Sequence, residues 1–165
     1  KALEFAVLTA ARSGEVRGAT WAEVDLEAAV WTVPRERMKA GKEHRVPLNT
    51  RAIKLLEAMP RIEGTELAFP APRGGQLSDM ALTALTRRMN FRDDAGRVCV
   101  PHGFRSSFRA WAFERTDYPR DLAEAALAHA LENKVEAAYR RGDALERRRA
   151  MMQAWANYCE GVANG

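Results

Sequence analysis

Apolar residues dominate the first eleven positions, KALEFAVLTAA, and this run predicts a mostly buried helix over residues 1–11. Ser13 follows the run, and a serine in this place commonly accepts a hydrogen bond from a free amide in the first turn of a helix. We therefore expect Ser13 to cap a second short helix that ends near Gly18.

The pattern then changes to short runs of β-branched and aromatic residues, VWTVP at 30–34 and HRVPL at 44–48. The charged stretch RERMKAGKE separates them, and its Gly41 is a turn signal. Two such runs around a turn predict an antiparallel hairpin with Lys39 near its tip. VDL at 24–26 is a candidate third strand.

Helical periodicity returns in the second half of the chain. Prolines and glycines crowd residues 60–77, which predicts a long loop and the only candidate linker. The last helix is amphipathic through Leu145, Met151, Met152 and Trp155. Helices are predicted over about 50–59, 78–90, 101–116, 119–130 and about 144–159, with Asn49 or Thr50 as the cap of the first and Ser78 as the cap of the second. A further helix is predicted to carry Tyr139, because Asn133 and Glu136 have the spacing of a capping box. The whole pattern predicts an α+β fold that is mainly helical, with a small antiparallel sheet.

Composition adds a preference for anionic partners. The 165 residues are 47% hydrophobic and 29% charged, which fits one globular domain. The formal net charge of +4 favours polyanions such as nucleic acid. Cys99 and Cys159 lie far apart, so we expect reduced thiols and no disulfide.

The chain shows neither a signal peptide nor an apolar run of membrane-spanning length. A cytoplasmic setting in a bacterial host, away from membranes, is therefore expected. Because the chain begins KALEF, without Met and within a predicted helix, we interpret it as a fragment whose N-terminal part has been removed.

Two residues at the start of the 101–116 helix are candidates for holding a phosphate. His102 and Arg105 are three apart and project from one face of the helix, near its free amide groups. An imidazole and a forked guanidinium there can clamp an anion. The alternative is a capping histidine and a surface arginine, and the HxxR pattern alone does not decide between them.

Arg12 and Lys39 are further candidates. Arg12 ends a buried helix, and Glu15 is either its structural partner or the group that orients it toward a ligand. Lys39 lies in a run of charges that is either a solvated surface or the tip of a hairpin that reaches DNA. For His44, on the second strand, we favour a structural or DNA-backbone role.

The stretch LAHALENKVEAAYRR contains a histidine and a tyrosine ten residues apart, His129 and Tyr139, and then Arg140 and Arg141. One continuous helix would place His129 and Tyr139 on different faces, but a break at 131–133 allows them to meet. Positive charge beside the tyrosine suits attack on a phosphate. The alternative is a tyrosine buried for structural reasons.

Other chemistries lack their residues. There is no Walker-type glycine loop and no GxSxG. Carboxylates do not cluster beside histidines as a two-metal nuclease requires. A zinc site would need His44, His102 and His129 to converge, and their spacing matches no metal motif.

The candidate residues, in their order along the chain, resemble those of the tyrosine recombinases. The resemblance is strongest to prophage and genomic-island integrases, which carry sequence motifs similar to RVPL, PRGG and VEAAYRRGD. The resemblance covers nearly the whole chain. Ala10 and Ala128 stand where the family often has glycine, and both replacements keep a small residue. The matching residues are Arg12 in TAARSGE, Lys39 in MKAGKEHRVPL, His102 and Arg105 in HGFR, His129 in LAHA, and Tyr139 ten residues later.

The resemblance implies the catalytic domain of an integrase over residues 1–165, a helical bundle with a small antiparallel sheet, with N-terminal arm-binding and core-binding domains absent. It implies that Tyr139 attacks a DNA phosphodiester and forms a 3′-phosphotyrosyl link, while Arg12 and Arg105 neutralise charge. Lys39 would protonate the leaving 5′-oxygen. His102 would help to accept the proton of the tyrosine, and His129 would bind a phosphate oxygen. No metal or cofactor is implied.

The implied partners are double-stranded DNA that carries attachment sites, three further copies of the chain in a tetramer on DNA, and a possible excision helper protein. The isolated fragment is expected to be a monomer. The implied location is the bacterial nucleoid. The 144–159 helix, with Trp155, either docks on a neighbouring protomer or packs on its own domain. We expect Arg105 to lie at the DNA-facing surface, so that its replacement by alanine costs little stability. The alternatives are a type IB-like topoisomerase and a degenerate, non-catalytic DNA-binding module.

Overall fold

The computed structural model describes residues 1–129 and 144–161 of the chain. Its helices are α1 (Ala2–Thr9), α2 (Ser13–Arg17), α3 (Thr50–Glu57), α4 (Ala81–Met89), α5 (Pro101–Glu114), α6 (Arg120–Ala126) and α7 (Leu145–Cys159). Its strands are β1 (Val24–Asp25), β2 (Val30–Val33) and β3 (His44–Pro47), and single 3-10 turns cover Trp21–Glu23 and Arg35–Arg37. The predicted fold class, mainly helical with a small sheet, is therefore confirmed.

The three strands form one antiparallel sheet in the order β1-β2-β3. The register of the β2–β3 pair runs from Val30 opposite Pro47 to Val33 opposite His44. The predicted hairpin and its third strand are thus confirmed. Lys39 is exposed in the turn between β2 and β3.

Two predicted helix starts are wrong, and the contacts show why. The residue before α2 is Arg12 and not Ser13, because the Glu15 carboxylate accepts a hydrogen bond from the Arg12 amide at 2.8 Å. Helix α4 begins at Ala81 and not after Ser78, because residues 78–81 form a separate turn in which the Ala81 amide donates to the Ser78 carbonyl at 3.1 Å. In contrast, Asn49 caps α3 as predicted, and its side chain accepts from the Ala52 amide.

The core consists of two aromatic clusters on either side of α1. In the first, the ring of Phe5 lies 5.2 Å from Trp31 of β2 and 5.2 Å from Phe69. Because Phe69 and its neighbour Ala68 are buried in this cluster, the loop at 60–77 belongs to the domain, and its prediction as a linker is wrong. The second cluster joins α5, α6 and α7.

Helix α7 packs on its own domain, which was one of the two alternatives for it. The Trp155 ring meets Phe108 at 5.4 Å and Trp111 at 5.2 Å, and its indole N–H donates to the Val7 carbonyl at 2.7 Å. Met151 and Met152 are buried beside it. This face is therefore occupied within the protomer.

Both cysteines, Cys99 and Cys159, are free, as predicted. Within residues 1–129 and 144–161, no helix has the length and apolar character needed to cross a membrane.

Candidate active site

The candidate site is centred on Arg105, in the second turn of α5. Its guanidinium donates to the carbonyl of Ala10 at 2.5 Å and to the carbonyl of Leu127 at 2.7 Å. These residues follow the last turns of α1 and α6, where unpaired carbonyls carry partial negative charge and attract a cation. Arg105 thereby joins the ends of three helices.

These bonds leave the side chain of Arg105 only 5% exposed. This burial contradicts the expectation that replacement of Arg105 by alanine costs little stability. The sequence could not reveal this burial, because the two carbonyls that hold the guanidinium belong to residues 95 and 22 positions away.

Arg12 lies beside Arg105, so the two guanidiniums are on the same side of the molecule. The positive charge of Arg12, together with burial as the larger cause, lowers the pKa of Arg105 to about 10. Arg105 therefore stays charged at neutral pH. Glu15 opposes the repulsion: its carboxylate is buried and accepts from both the amide and the guanidinium of Arg12, each at 2.8 Å.

His129 completes this group of residues. Its Nε2 lies 3.3 Å from Nη2 of Arg105, and its Nδ1 lies 2.6 Å from a carboxylate oxygen of Glu124. The other oxygen of Glu124 forms an ion pair with Arg109 at 2.7 Å. Because the carboxylate can only accept, Nδ1 carries a proton, and Nε2 is the atom that faces the guanidinium.

Glu124 was not a sequence candidate, although a signal was present. It stands five residues before His129, just beyond one helical turn. Its effect is to fix the orientation of the imidazole from the side opposite Arg105.

The structure places the other candidates as follows. His102 is exposed in the first turn of α5, one turn before Arg105. Lys39 is exposed in the β2–β3 turn. Tyr139, with Arg140 and Arg141, lies outside the described residues.

His44 has a structural environment. Its Nε2 lies 3.3 Å from the Ala126 carbonyl, which ties β3 to the end of α6. Burial lowers the pKa of His44 to about 4, and the nearby charge of Arg148 acts in the same direction. His44 is therefore neutral at physiological pH, which agrees with the structural alternative and not with a contact to DNA phosphates.

Taken together, the geometry offers two adjacent guanidiniums and an oriented imidazole at one place. Such a group of side chains can bind the oxygens of one anionic group, such as a phosphate, while its own packing stays unchanged. Arg12 is the more open of the two arginines, with a quarter of its side chain exposed.

Comparison with known proteins identifies the family of the chain. The phage integrase family matches residues 1–146. Prophage integrase IntA of Escherichia coli K12 is 39% identical over 166 residues, and the integrase of Enterobacteria phage P4 is 34% identical over 175 residues. Each alignment covers 96% of this chain, which spans 38% and 39% of the lengths of the two relatives.

Two solved structures share the fold. The crystal structure of XerA recombinase aligns with a TM-score of 0.64 and 17% identity over 99% of this chain and 62% of its own. The Tn1549 transposon integrase, in complex with circular intermediate DNA, aligns with a TM-score of 0.60 and 17% identity over 92% of this chain and 56% of its own. On the family match and these relatives, the chain belongs to the phage integrase family.

Proposed function

We propose that residues 1–165 form the catalytic domain of a site-specific DNA recombinase, an integrase that cuts and rejoins DNA through a 3′-phosphotyrosyl intermediate. The observation that carries the proposal is the meeting of Arg12, Arg105 and His129 at one place, although they are spread over more than a hundred positions. Family membership supports the same activity.

In this mechanism Tyr139 is the nucleophile. Its oxygen attacks the phosphorus, the bond from phosphorus to the 5′-oxygen breaks, and the released strand ends in a 5′-hydroxyl. The new bond keeps the energy of the old one, so attack by a 5′-hydroxyl of a second duplex rejoins the strands. Charge that develops on the non-bridging oxygens is neutralised by Arg12 and Arg105.

Arg105 and Arg12 divide this task. Arg105 is fixed by two carbonyls and supplies a positive charge that needs no reorganisation when the phosphate arrives. Arg12 keeps exposed donor groups, so it is the guanidinium that reaches the phosphate oxygens directly. Glu15 holds Arg12 in place by accepting from both its amide and its guanidinium.

Three more residues have roles as proton donors or acceptors. Lys39 protonates the leaving 5′-oxygen, and its exposure in the turn allows it to approach the DNA backbone. His102 helps to accept the proton of Tyr139. His129 binds a phosphate oxygen, and Glu124 orients its ring through Nδ1.

The substrate of this reaction is double-stranded DNA with attachment sites, and the basic composition suits it. Exchange between two duplexes requires four nucleophiles, so the working particle is a homotetramer on DNA, and excision can involve a helper protein. Prophage or genomic-island DNA in a bacterial nucleoid is the proposed context, since the relatives include prophage integrases.

The test uses the full-length protein and a nicked duplex that carries the junction between the mobile element and its host. A covalent protein–DNA adduct on a denaturing gel, lost in Tyr139→Phe, supports the proposal. Binding without any adduct would favour a degenerate DNA-binding module. Relaxation of supercoils without joining of partner duplexes would favour a type IB-like topoisomerase.

A further inference from the structure

The side chain of Arg37 attaches the turn that carries Lys39 to α2, the helix that follows Arg12. Nη1 of Arg37 donates to the main-chain carbonyl of Glu15 at 2.7 Å, and Nη2 forms an ion pair with the carboxylate of Glu23. The first contact leads to α2, which begins directly after Arg12. Arg37 therefore links the turn to the backbone of the phosphate-binding group.

The acidic partner of Arg37 is itself fixed. Glu23 accepts a hydrogen bond from the indole N–H of Trp31 at 3.0 Å, and Trp31 is fully buried in β2. Arg37 is mostly buried, so its ion pair with Glu23 lies largely out of solvent and is screened less than a surface pair. The contact therefore has a defined geometry at both of its ends.

Gly18 allows this close approach. A Cβ atom at position 18 would lie 2.8 Å from Nη1 of Arg37 and 3.4 Å from its Cδ. The guanidinium therefore packs directly on the backbone at the end of α2, and any larger residue at position 18 must displace it. Two residues after Arg37, the side chain of Lys39 is exposed.

We propose that Arg37 is a positioning residue for Lys39, which holds the turn against α2 so that the ammonium group faces the leaving 5′-oxygen. This inference rests on the proposed function. Met38, between the two residues, is buried, and its carbonyl accepts from the Gly41 amide at 2.9 Å, which closes the turn. Because the turn is short and closed, the position of Arg37 fixes the position of the Lys39 backbone.

The leaving group offers a selective readout. When the bond from phosphorus to the 5′-oxygen breaks, that oxygen takes a proton from Nζ of Lys39, while Tyr139 forms its bond to phosphorus and gives up its own proton. A 5′-bridging sulfur leaves as a thiolate and needs no proton. A defect that acts through Lys39 should therefore disappear with the sulfur substrate.

The experiment measures cleavage rates of the full-length protein with Arg37→Met, on matched nicked duplexes that carry oxygen or sulfur at the 5′-bridging position. We expect a loss of about 10-fold or more with oxygen, within the range of general-acid effects, and a loss below about 3-fold with sulfur. Lys39→Ala provides the reference pattern. Arg35→Met is the matched control, because Arg35 lies in the same turn but is exposed and forms a surface ion pair with its neighbour Glu36.

Gly18→Ala provides a second variant in case Arg37→Met does not fold. It keeps Arg37 but displaces its guanidinium, and it should give the same pattern with a smaller loss. Equal losses on both substrates, or no loss in either variant, would overturn the inference. Failure of the proposed function is distinguishable, because the unsubstituted protein would then form no Tyr139-dependent adduct with either duplex.

Discussion

Arg105 is held by the ends of two other helices, whereas Lys39 projects from a turn whose side-chain anchor is Arg37. In the first region a positive charge is buried and bonded to main-chain carbonyls before any substrate binds. In the second the ammonium group of Lys39 is exposed, while Arg37 at the base of its turn is fixed. The proposed charge stabilisation and the proposed proton donation thus depend on different parts of the fold.

This difference has a physical reason. A buried guanidinium needs hydrogen-bond partners inside the protein, and the two carbonyls that accept from Arg105 specify its position in the folded state. An exposed lysine has no such requirement and keeps its side-chain entropy until it meets the DNA. Substitutions in the two regions should therefore separate stability from catalysis.

The largest effect is expected for Arg105→Ala. The variant should form no detectable adduct and should lose roughly 3 kcal/mol of unfolding free energy, because two carbonyls and a charged network lose their donor. Urea unfolding monitored by circular dichroism measures the stability. A variant as stable as the parent would show that these bonds contribute nothing to folding.

Lys39→Ala should affect catalysis alone. We expect cleavage to slow by about 10²-fold or more, with a change in unfolding free energy within about 0.5 kcal/mol. The sulfur substrate should restore the rate. Failure of that rescue, in a variant that still binds DNA, would remove Lys39 from the general-acid role.

Acid should weaken the joint between the hairpin and α6 through His44. Because burial holds the pKa of folded His44 near 4, below its ordinary 6.5, the unfolded chain takes up the proton first. Stability should therefore fall as the pH drops from about 6.5 to about 4, by roughly 3 kcal/mol. Unfolding of His44→Gln over this range should lack that component, and an identical pH dependence would contradict the assignment.

Glu124→Gln should give the smallest effect, a slowing of cleavage of about tenfold, because His129 loses the carboxylate that orients it. The sulfur substrate should not restore this loss, in contrast to Lys39→Ala. Glu114→Gln, at an exposed position of α5, is the matched control. Rescue by sulfur would place Glu124 on the leaving-group side instead.

Much of the fold was predictable because it depends on local patterns. The β-branched runs around Gly41 specified the hairpin, and the helical segments followed apolar periodicity with small errors at their ends. Residues 60–77 were misread as a linker, since only the folded structure shows that Phe69 fills a space between α1 and the sheet.

For the site, the sequence supplied the candidate residues but not their supports. Arg12, Arg105 and His129 were recognised by their order along the chain, and the structure brings them together. The sequence did not indicate that Glu124 orients His129 or that Arg37 holds the Lys39 turn, because these roles depend on contacts in the folded structure and not on a motif. A residue that positions another becomes visible only when both ends of its contact are known.

The indoles of Trp111 and Trp155 lie 5.2 Å apart where α7 meets α5. Two indoles at this distance couple their excited states and quench each other's fluorescence. Near-ultraviolet circular dichroism and tryptophan fluorescence therefore report whether α7 is packed against α5. Trp21 and Trp31 belong to the other cluster and can be replaced by phenylalanine to isolate that emission. The packing of α7, the helix that follows Tyr139 in the chain, can therefore be measured from intrinsic tryptophan signals without an added dye.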